Sequence, residues 1–205
     1  MEIKERIIKK SKELFFRYGV KSVTMDDIAH DLGISKKTIY QNFNDKDEIV
    51  YQVMLMELED DKCQYMHLSE VTKNVIEKLI KMSDLLRLHI ANMNPCTVFD
   101  IKRYYPRSWD LFRKHKKDFI LEQITNELRE GIAEGLIRSE INLDVLALLR
   151  LEQVELAFND EIFPPEKFNI LDIQLEFLDH FTRGVMTEEG LKIYNQYKNQ
   201  QKHDK

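Results

Sequence analysis

Only ten of the 205 residues are glycine or proline, six of one and four of the other. That scarcity limits the fold more than any other property of the chain. An average chain carries about 12% of the two together, against roughly 5% here. An all-β domain needs turn residues every 8–12 positions or so, and ten breakers cannot supply them. A disordered chain carries more of both, and this one has an apolar fraction of 43%, enough for a buried core at this length. The expected class is therefore all-α, built mostly from long helices.

No apolar run approaches the 18 or so residues that span a bilayer. Met1 to Lys12 is densely charged, with no apolar stretch of signal-peptide length. Cys63 and Cys96 lie far apart and neither has a CxxC partner, so no disulfide framework is expected and a reducing cytoplasm is the default compartment. The net charge of −5 disfavours a general polyanion binder but leaves room for a local basic face.

Gly19 and Gly33 fall close together near the start, and no further glycine occurs before Gly131. Before Gly19, the positions Ile3, Ile7, Leu14, Phe15 and Tyr18 form one helical stripe, with Ser11 among them. Thr24 can cap a short helix whose inner side is Met25, Ile28, Ala29 and Leu32. Gly33 ends it, Ile34 sits in the turn and Ser35 can cap the next. A fourth helix is expected from near Asn44 to Asp47, its first turn enriched in acids. Residues 1–46 thus read as a three-helix head with a helix-turn-helix, and 47–205 as a larger helical domain.

At about 100° per residue from Lys36, Ile39 and Phe43 point together toward Ile28 and Leu32. Lys37 and Gln41 lie opposite, flanked by Thr38 and Asn44, with Lys36, Tyr40 and Asn42 on the shoulders. No acid occurs between Asp31 and Asp45. Such a face suits DNA: lysine donates to guanine or phosphate, and glutamine can pair both edges of adenine in the major groove. The hydroxyls of Thr38 and Tyr40 suit phosphate oxygens, which position a protein without reading sequence. Helix N-termini at Thr24 and Lys46 add backbone N–H groups. Residues 1–44 carry nine Lys/Arg against six Asp/Glu, which leaves the remainder at −8. The competing reading is an ordinary solvated basic helix face.

The stretch Val23-Thr24-Met25-Asp26-Asp27-Ile28-Ala29, followed by Leu32-Gly33-Ile34-Ser35, Thr38-Ile39-Tyr40-Gln41-Asn42-Phe43 and Lys46-Asp47-Glu48, resembles the TetR family of transcriptional regulators. Leu14-Phe15 and Gly19 match its first helix. The resemblance covers about 45 residues; the rest agrees only in being helical. Ser11 stands where an alanine is usual, and Tyr-Gln-Asn-Phe stands where Tyr-Tyr-His-Phe is commoner, so no operator sequence carries over. The resemblance implies a homodimer on double-stranded DNA, with an effector-binding and dimerisation domain that releases a near-palindromic site when a small molecule binds. It places Thr24, Lys36, Thr38, Tyr40 and Lys46 at phosphate or base contacts. With Met25, Ser35 and Asn42 from the same motif, and Lys37 and Gln41 from the face argument, these form the candidate DNA-binding set.

Two later segments are apolar around more than one stripe, Leu143 to Phe158 and Phe168 to Phe181. Leu146, Leu149, Val154, Phe158, Ile173, Phe177 and Phe181 are the candidate dimer residues; the alternative is the buried centre of a monomer. Met93, Phe99, Tyr105, Trp109 and Phe112 cluster around Pro95 and Pro106, where helices must break. They are the candidate lining of a pocket for a hydrophobic or amphipathic effector, although aromatics at helical spacing are more often core. The basic run from Lys102 to Lys117 is interleaved with Asp100 and Asp110 and reads as a solvated face. Cys63 and His67, at i and i+4, do not by themselves make a metal site. The chain has no phosphate-binding glycine loop, no GxSxG, no HExxH and no paired Glu-x-x-His motifs. No enzyme activity, cofactor or metal is expected. The rival to a regulator is a helical-bundle adaptor whose helix-turn-helix does not bind DNA.

Overall fold

Short polar side chains cap α2 (Met25–Leu32), α3 (Lys36–Tyr40), α9 (Leu143–Leu156) and α10 (Ile170–Val185). A computed structural model describes residues 2–91, 93–94 and 96–203, and these helices begin where the caps stand. Helix α1 (Ile3–Tyr18) ends at Gly19, whose φ of 83° is a left-handed value that suits glycine. Helix α2 (Met25–Leu32) opens on a full capping box between Thr24 and Asp27 and ends at a left-handed Gly33. Helix α3 (Lys36–Tyr40) starts at Ser35, and α4 runs over Lys46–Val71. Then come α5 (Val75–Ala91), α6 (Cys96–Tyr104), α7 (Pro106–His115), a π-turn over Lys116–Ile120, α8 (Leu121–Ala133), α9 (Leu143–Leu156), α10 (Ile170–Val185) and α11 (Glu188–His203). Pro106 takes the first position of α7, where its missing N–H costs nothing. The class is all-α, as expected.

Packing gathers these helices into two units. The first comprises residues up to Lys62 together with Ile90–His115; the second comprises Cys63–His89 and the chain from Lys116 onward. Helix α4 contributes to both.

The first unit is centred on Ile7, Phe15, Ile28, Ile39, Ile49 and Val50, each almost fully buried. Ser11 lies among them with no exposure, and its hydroxyl meets no hydrogen-bonding partner among the described residues. Helix α6 serves the end of α1: Thr97 Oγ1 donates to the Phe15 carbonyl at 2.9 Å, and the Asn94 N–H donates to that of Phe16 at 2.6 Å. Asp100 Oδ2 accepts the Lys21 N–H at 2.7 Å. The Phe15 carbonyl, which also accepts the Gly19 N–H, and the Phe16 carbonyl thus take donors from a distant part of the chain.

The second unit packs Val75, Ile76, Ile80, Ile124, Leu128, Leu151, Phe181 and Val185 into one core. The α8–α9 and α10–α11 junctions are joined through an antiparallel bridge between Ile137 and Met186 and a bond from the Thr187 N–H to the Leu136 carbonyl at 3.0 Å. Gly190 is required there, since a Cβ would stand 2.2 Å from the Leu136 oxygen. Asp179 on α10 accepts from Arg183, Tyr194 and Lys198, which pins α11. The sequence reading ends one helix at 117 and starts the next at 118, whereas the chain stays helical there through the π-turn.

Helix α9 carries apolar residues on more than one side, with Val145, Leu148, Leu149 and Leu156 exposed while Ala147 and Leu151 are buried. Of the candidate dimer residues, only Leu149 is well exposed. Leu146, Val154, Phe158 and Phe177 are half-buried, and Ile173 and Phe181 belong to the interior of the unit. Val145 and Leu148 are exposed apolar residues that the sequence pattern did not single out. Counting apolar residues around a helix does not reveal which of them its own unit covers.

Candidate nucleic-acid interface

Ile39 and Phe43 are buried at 0% and 3% exposure. They anchor α3 against Ile28 and Ala29 of α2, and so decide which side of a five-residue helix faces out. On the outer side Lys36, Lys37, Tyr40, Gln41 and Asn44 are exposed, as the face calculation expected, while Thr38 and Asn42 are half-buried. Tyr40 keeps 49% of its surface open.

Polar contacts fix the frame of this face. The Thr38 N–H donates to Ser35 Oγ at 3.1 Å, and the two hydroxyls lie 2.8 Å apart. Asn42 Nδ2 donates to the Thr38 carbonyl at 2.8 Å, closing the end of the helix. Thr24 is used in the same way: its N–H and hydroxyl both donate to Asp27 Oδ2, at 2.8 and 2.7 Å. These bonds hold the Asp27 carboxyl below its ordinary range. Ser35, Asn42 and Thr24 therefore spend their side chains on geometry. Met25 is buried at 7% exposure, so it presents its side chain to the core and only its backbone to the α2 terminus.

Two lysines behave differently from the sequence picture. Lys36 Nζ lies 2.7 Å from Asp26 Oδ2, an exposed pair that raises the lysine's pKa through that hydrogen bond. Asp26 comes from the preceding helix, so the gap in acids between Asp31 and Asp45 does not describe the folded surface. Lys46 is half-buried, with its ammonium group donating to the Val20 carbonyl and lying 5.8 Å from the centre of the Phe15 ring. Burial lowers its pKa. The start of α4 is further occupied by Asp45 and Glu48: the Glu48 N–H donates to Asp45 Oδ1 at 2.8 Å, and the Asn44 N–H to Glu48 Oε2 at 2.7 Å. Lys37 and Gln41 are left as exposed side chains at the centre of the face.

The candidate pocket residues lie in the same unit as this head. Trp109 and Phe112 are in contact, with ring centres 4.8 Å apart, and Trp109 is nearly buried. Met93, Phe99 and Tyr105 are half-buried. Burial raises the Tyr105 pKa, with Asp100 and Asp47 adding to it. Pro95 lies outside the described residues.

Residues 7–53 match the family model described as bacterial regulatory proteins, tetR family. The HTH-type transcriptional regulator YvaF of Bacillus subtilis (strain 168) is 25% identical over 189 residues, covering 90% of this chain and 96% of that protein. Among solved structures, a TetR-family transcriptional regulator from Agrobacterium tumefaciens superposes with a TM-score of 0.69 at 17% identity, over 90% of this chain and 97% of the other. A transcriptional regulator from Saccharomonospora viridis, solved in complex with choline, gives 0.70 at 18% identity, over 90% and 98%.

Proposed function

From the premise that this chain is a TetR-family transcriptional regulator, we propose that it is a one-component repressor, released from a near-palindromic operator by a small hydrophobic or amphipathic effector. The observation that carries this reading is the outer face of α3. Lys37, Gln41 and Tyr40 stand exposed on a helix whose opposite side is locked by Ile39 and Phe43. Gln41 and Lys37 read base edges in the major groove, and Tyr40 with Thr38 contacts phosphate. Lys36 adds a charge that exchanges Asp26 for phosphate, while Thr24, Ser35 and Asn42 hold the helix in register.

The reading head is assigned to 1–46, and effector binding and dimerisation to 47–205. The exposed leucines of α9 support a homodimer, because a soluble chain seldom leaves such a row uncovered. Half-buried aromatics around Trp109 offer an apolar lining for the effector. That a structural relative holds choline supports small-molecule response as a class of behaviour. No described helix is long and apolar enough to cross a membrane, and the cytoplasm is the proposed compartment. No catalytic role is assigned.

The test is binding of the full chain to its own genomic fragments across a salt series. A regulator making several phosphate contacts loses affinity steeply as salt rises. Flat or absent binding to every duplex would replace this reading with the helical adaptor.

A further inference from the structure

The second unit contains a polar knot that the DNA-binding reading does not use. Tyr65 from α4 donates its hydroxyl to Glu127 Oε1 on α8 at 2.7 Å, and both residues are buried at 8% exposure. Lys78 from α5, also buried, reaches Glu130 one turn further along α8 at 3.0 Å. On α9, Arg150 and Gln153 stand three residues apart and so share a face. Arg150 Nη1 and Gln153 Oε1 are both shut off from solvent, and neither meets a hydrogen-bonding partner among the described residues.

A buried donor and a buried acceptor without partners cost free energy that a folded chain normally avoids. Tyr65 already occupies one oxygen of the nearby Glu127. Burial pushes the Glu127 carboxyl up, against the pull of Tyr65, Lys78 and Arg150. Burial also brings Arg150 down to about 10, which leaves it charged at neutral pH. The guanidinium is thus a cation whose natural counter-charge is reluctant to ionise.

Aromatic and apolar side chains border this knot. Phe119 meets the Tyr65 ring edge-on at 5.8 Å, and it belongs to the π-turn over Lys116–Ile120. π-turns inside helices recur at functional sites because they displace side chains that an α-helix would hold in register. Lys116, at the start of that turn and itself buried, lies against Glu152 and Glu155 of α9, at 3.1 and 2.5 Å. The acids flanking Arg150 and Gln153 on α9 are therefore taken up by another lysine. Ile124 and Val154 lie one turn from Glu127 and Arg150 and supply apolar neighbours on the same faces.

We propose that this knot is the head-group site for an amphipathic carboxylate, whose oxygen accepts from Arg150 Nη1 while Gln153 Oε1 accepts a hydroxyl or amide N–H of the same molecule. A planar guanidinium fork is suited to a carboxylate in a way an ammonium is not. An alkylamine or a quaternary ammonium would instead place a second cation beside Arg150 and Lys78. The site lies on different helices from the aromatic group around Trp109. It depends on the proposed regulator function only for its consequence, the release of DNA.

Calorimetric titration of the full chain with octanoate and benzoate, set against octanol, octylamine and choline, tests the proposal. Both carboxylates are expected to bind at least about tenfold more tightly than the neutral and cationic probes. Arg150→Met should abolish the preference while its ligand-free melting temperature stays level or rises, because a buried charge without a full partner is replaced by an apolar chain of similar length. Arg150→Lys keeps the charge without the fork and should retain a reduced preference, which covers the case in which the methionine variant does not fold. Carboxylates that bind no better than octanol overturn the proposal, as does either variant binding them like the parent. The DNA reading is judged separately, from the ligand-free wild-type protein on duplex. If carboxylate binds and DNA stays bound, the site stands and the effector role falls.

Discussion

Asp100 Oδ2 receives the backbone N–H of Lys21 at 2.7 Å across 79 residues of sequence, and that one bond fixes the loop between α1 and α2. The same oxygen lies 3.4 Å from where a Cβ would stand on Gly19, whose φ is already left-handed. Asp100→Ala is expected to lower stability by about 1–2 kcal/mol, the range for a charge-assisted bond near the surface. At this chain length that is about 2–4 °C of melting temperature per kcal/mol. Asp100→Asn still offers an oxygen and should lose less; equal losses in a thermal melt would refute the bond's role.

Ser11 lies fully buried in α1 with no partner for its hydroxyl among the described residues. Ser11→Ala removes an unsatisfied polar group and improves helix propensity. A gain of about 1–2 kcal/mol is expected, read as a rise in the urea midpoint. A loss would mean that the hydroxyl is hydrogen-bonded in solution.

Gln41→Ala should cost about 1–3 kcal/mol on the preferred operator and relax one base position. Tyr40→Phe should weaken all sequences alike. Lys46→Met should act mainly on folding, because the ammonium group is turned toward the Val20 carbonyl. Fluorescence anisotropy on matched and scrambled duplexes separates the three. If Lys46→Met keeps its melting temperature and loses affinity, the inward placement is wrong.

Asp179 gives the chain an acid-sensitive anchor. Burial alone would raise its carboxyl, but hydrogen bonds from Lys198, Arg183 and Tyr194 outweigh that and hold it at about 2, against an ordinary 3.8. A carboxyl depressed on folding stabilises above its unfolded value and loses that contribution as pH falls through the folded one. The wild-type protein should therefore lose stability between about pH 4 and pH 2, and Asp179→Asn should lose less over that window. Urea midpoints measured at steps of pH would show the two curves converging; parallel curves would count against the anchor.

Leu148 and Leu149 project from α9 with about half of each side chain exposed. Leu148→Asp should convert a homodimer to monomer in light scattering at micromolar concentration with little change in helix content. A wild-type protein that is already monomeric would remove the interface.

The sequence was most informative where one residue decides a local geometry. Thr24, Gly33 and Ser35 mark the ends of α2 and α3, and the period from Lys36 correctly assigned Ile39 and Phe43 to the core. It failed where the decisive partner is remote. Nothing near Lys36 announces Asp26, and nothing near Lys46 announces the Val20 carbonyl, because both contacts come from tertiary folding. The same holds for Gly190, whose reason is the Leu136 oxygen more than fifty residues earlier. Arg150 and Gln153 sit in a segment whose leucines drew attention to apolar burial, and a hydrophobicity pattern gives no weight to a lone buried guanidinium. The π-turn is invisible to a 100° period because it departs from that period for a single turn.

The help that α6 gives to α1 bears on how such proteins can be recombined. Thr97 and Asn94 bond the last turn of a helix that ended some 80 residues earlier, and Asp100 holds the loop that follows it. A graft that moves only the first 46 residues into a relative would carry the side chains proposed to read bases but leave the support of α1 behind. Chimeras that also transplant the segment from Met93 to His115 should fold with their parent's register intact. The unit that would have to be moved together with the head is thus discontinuous along the chain.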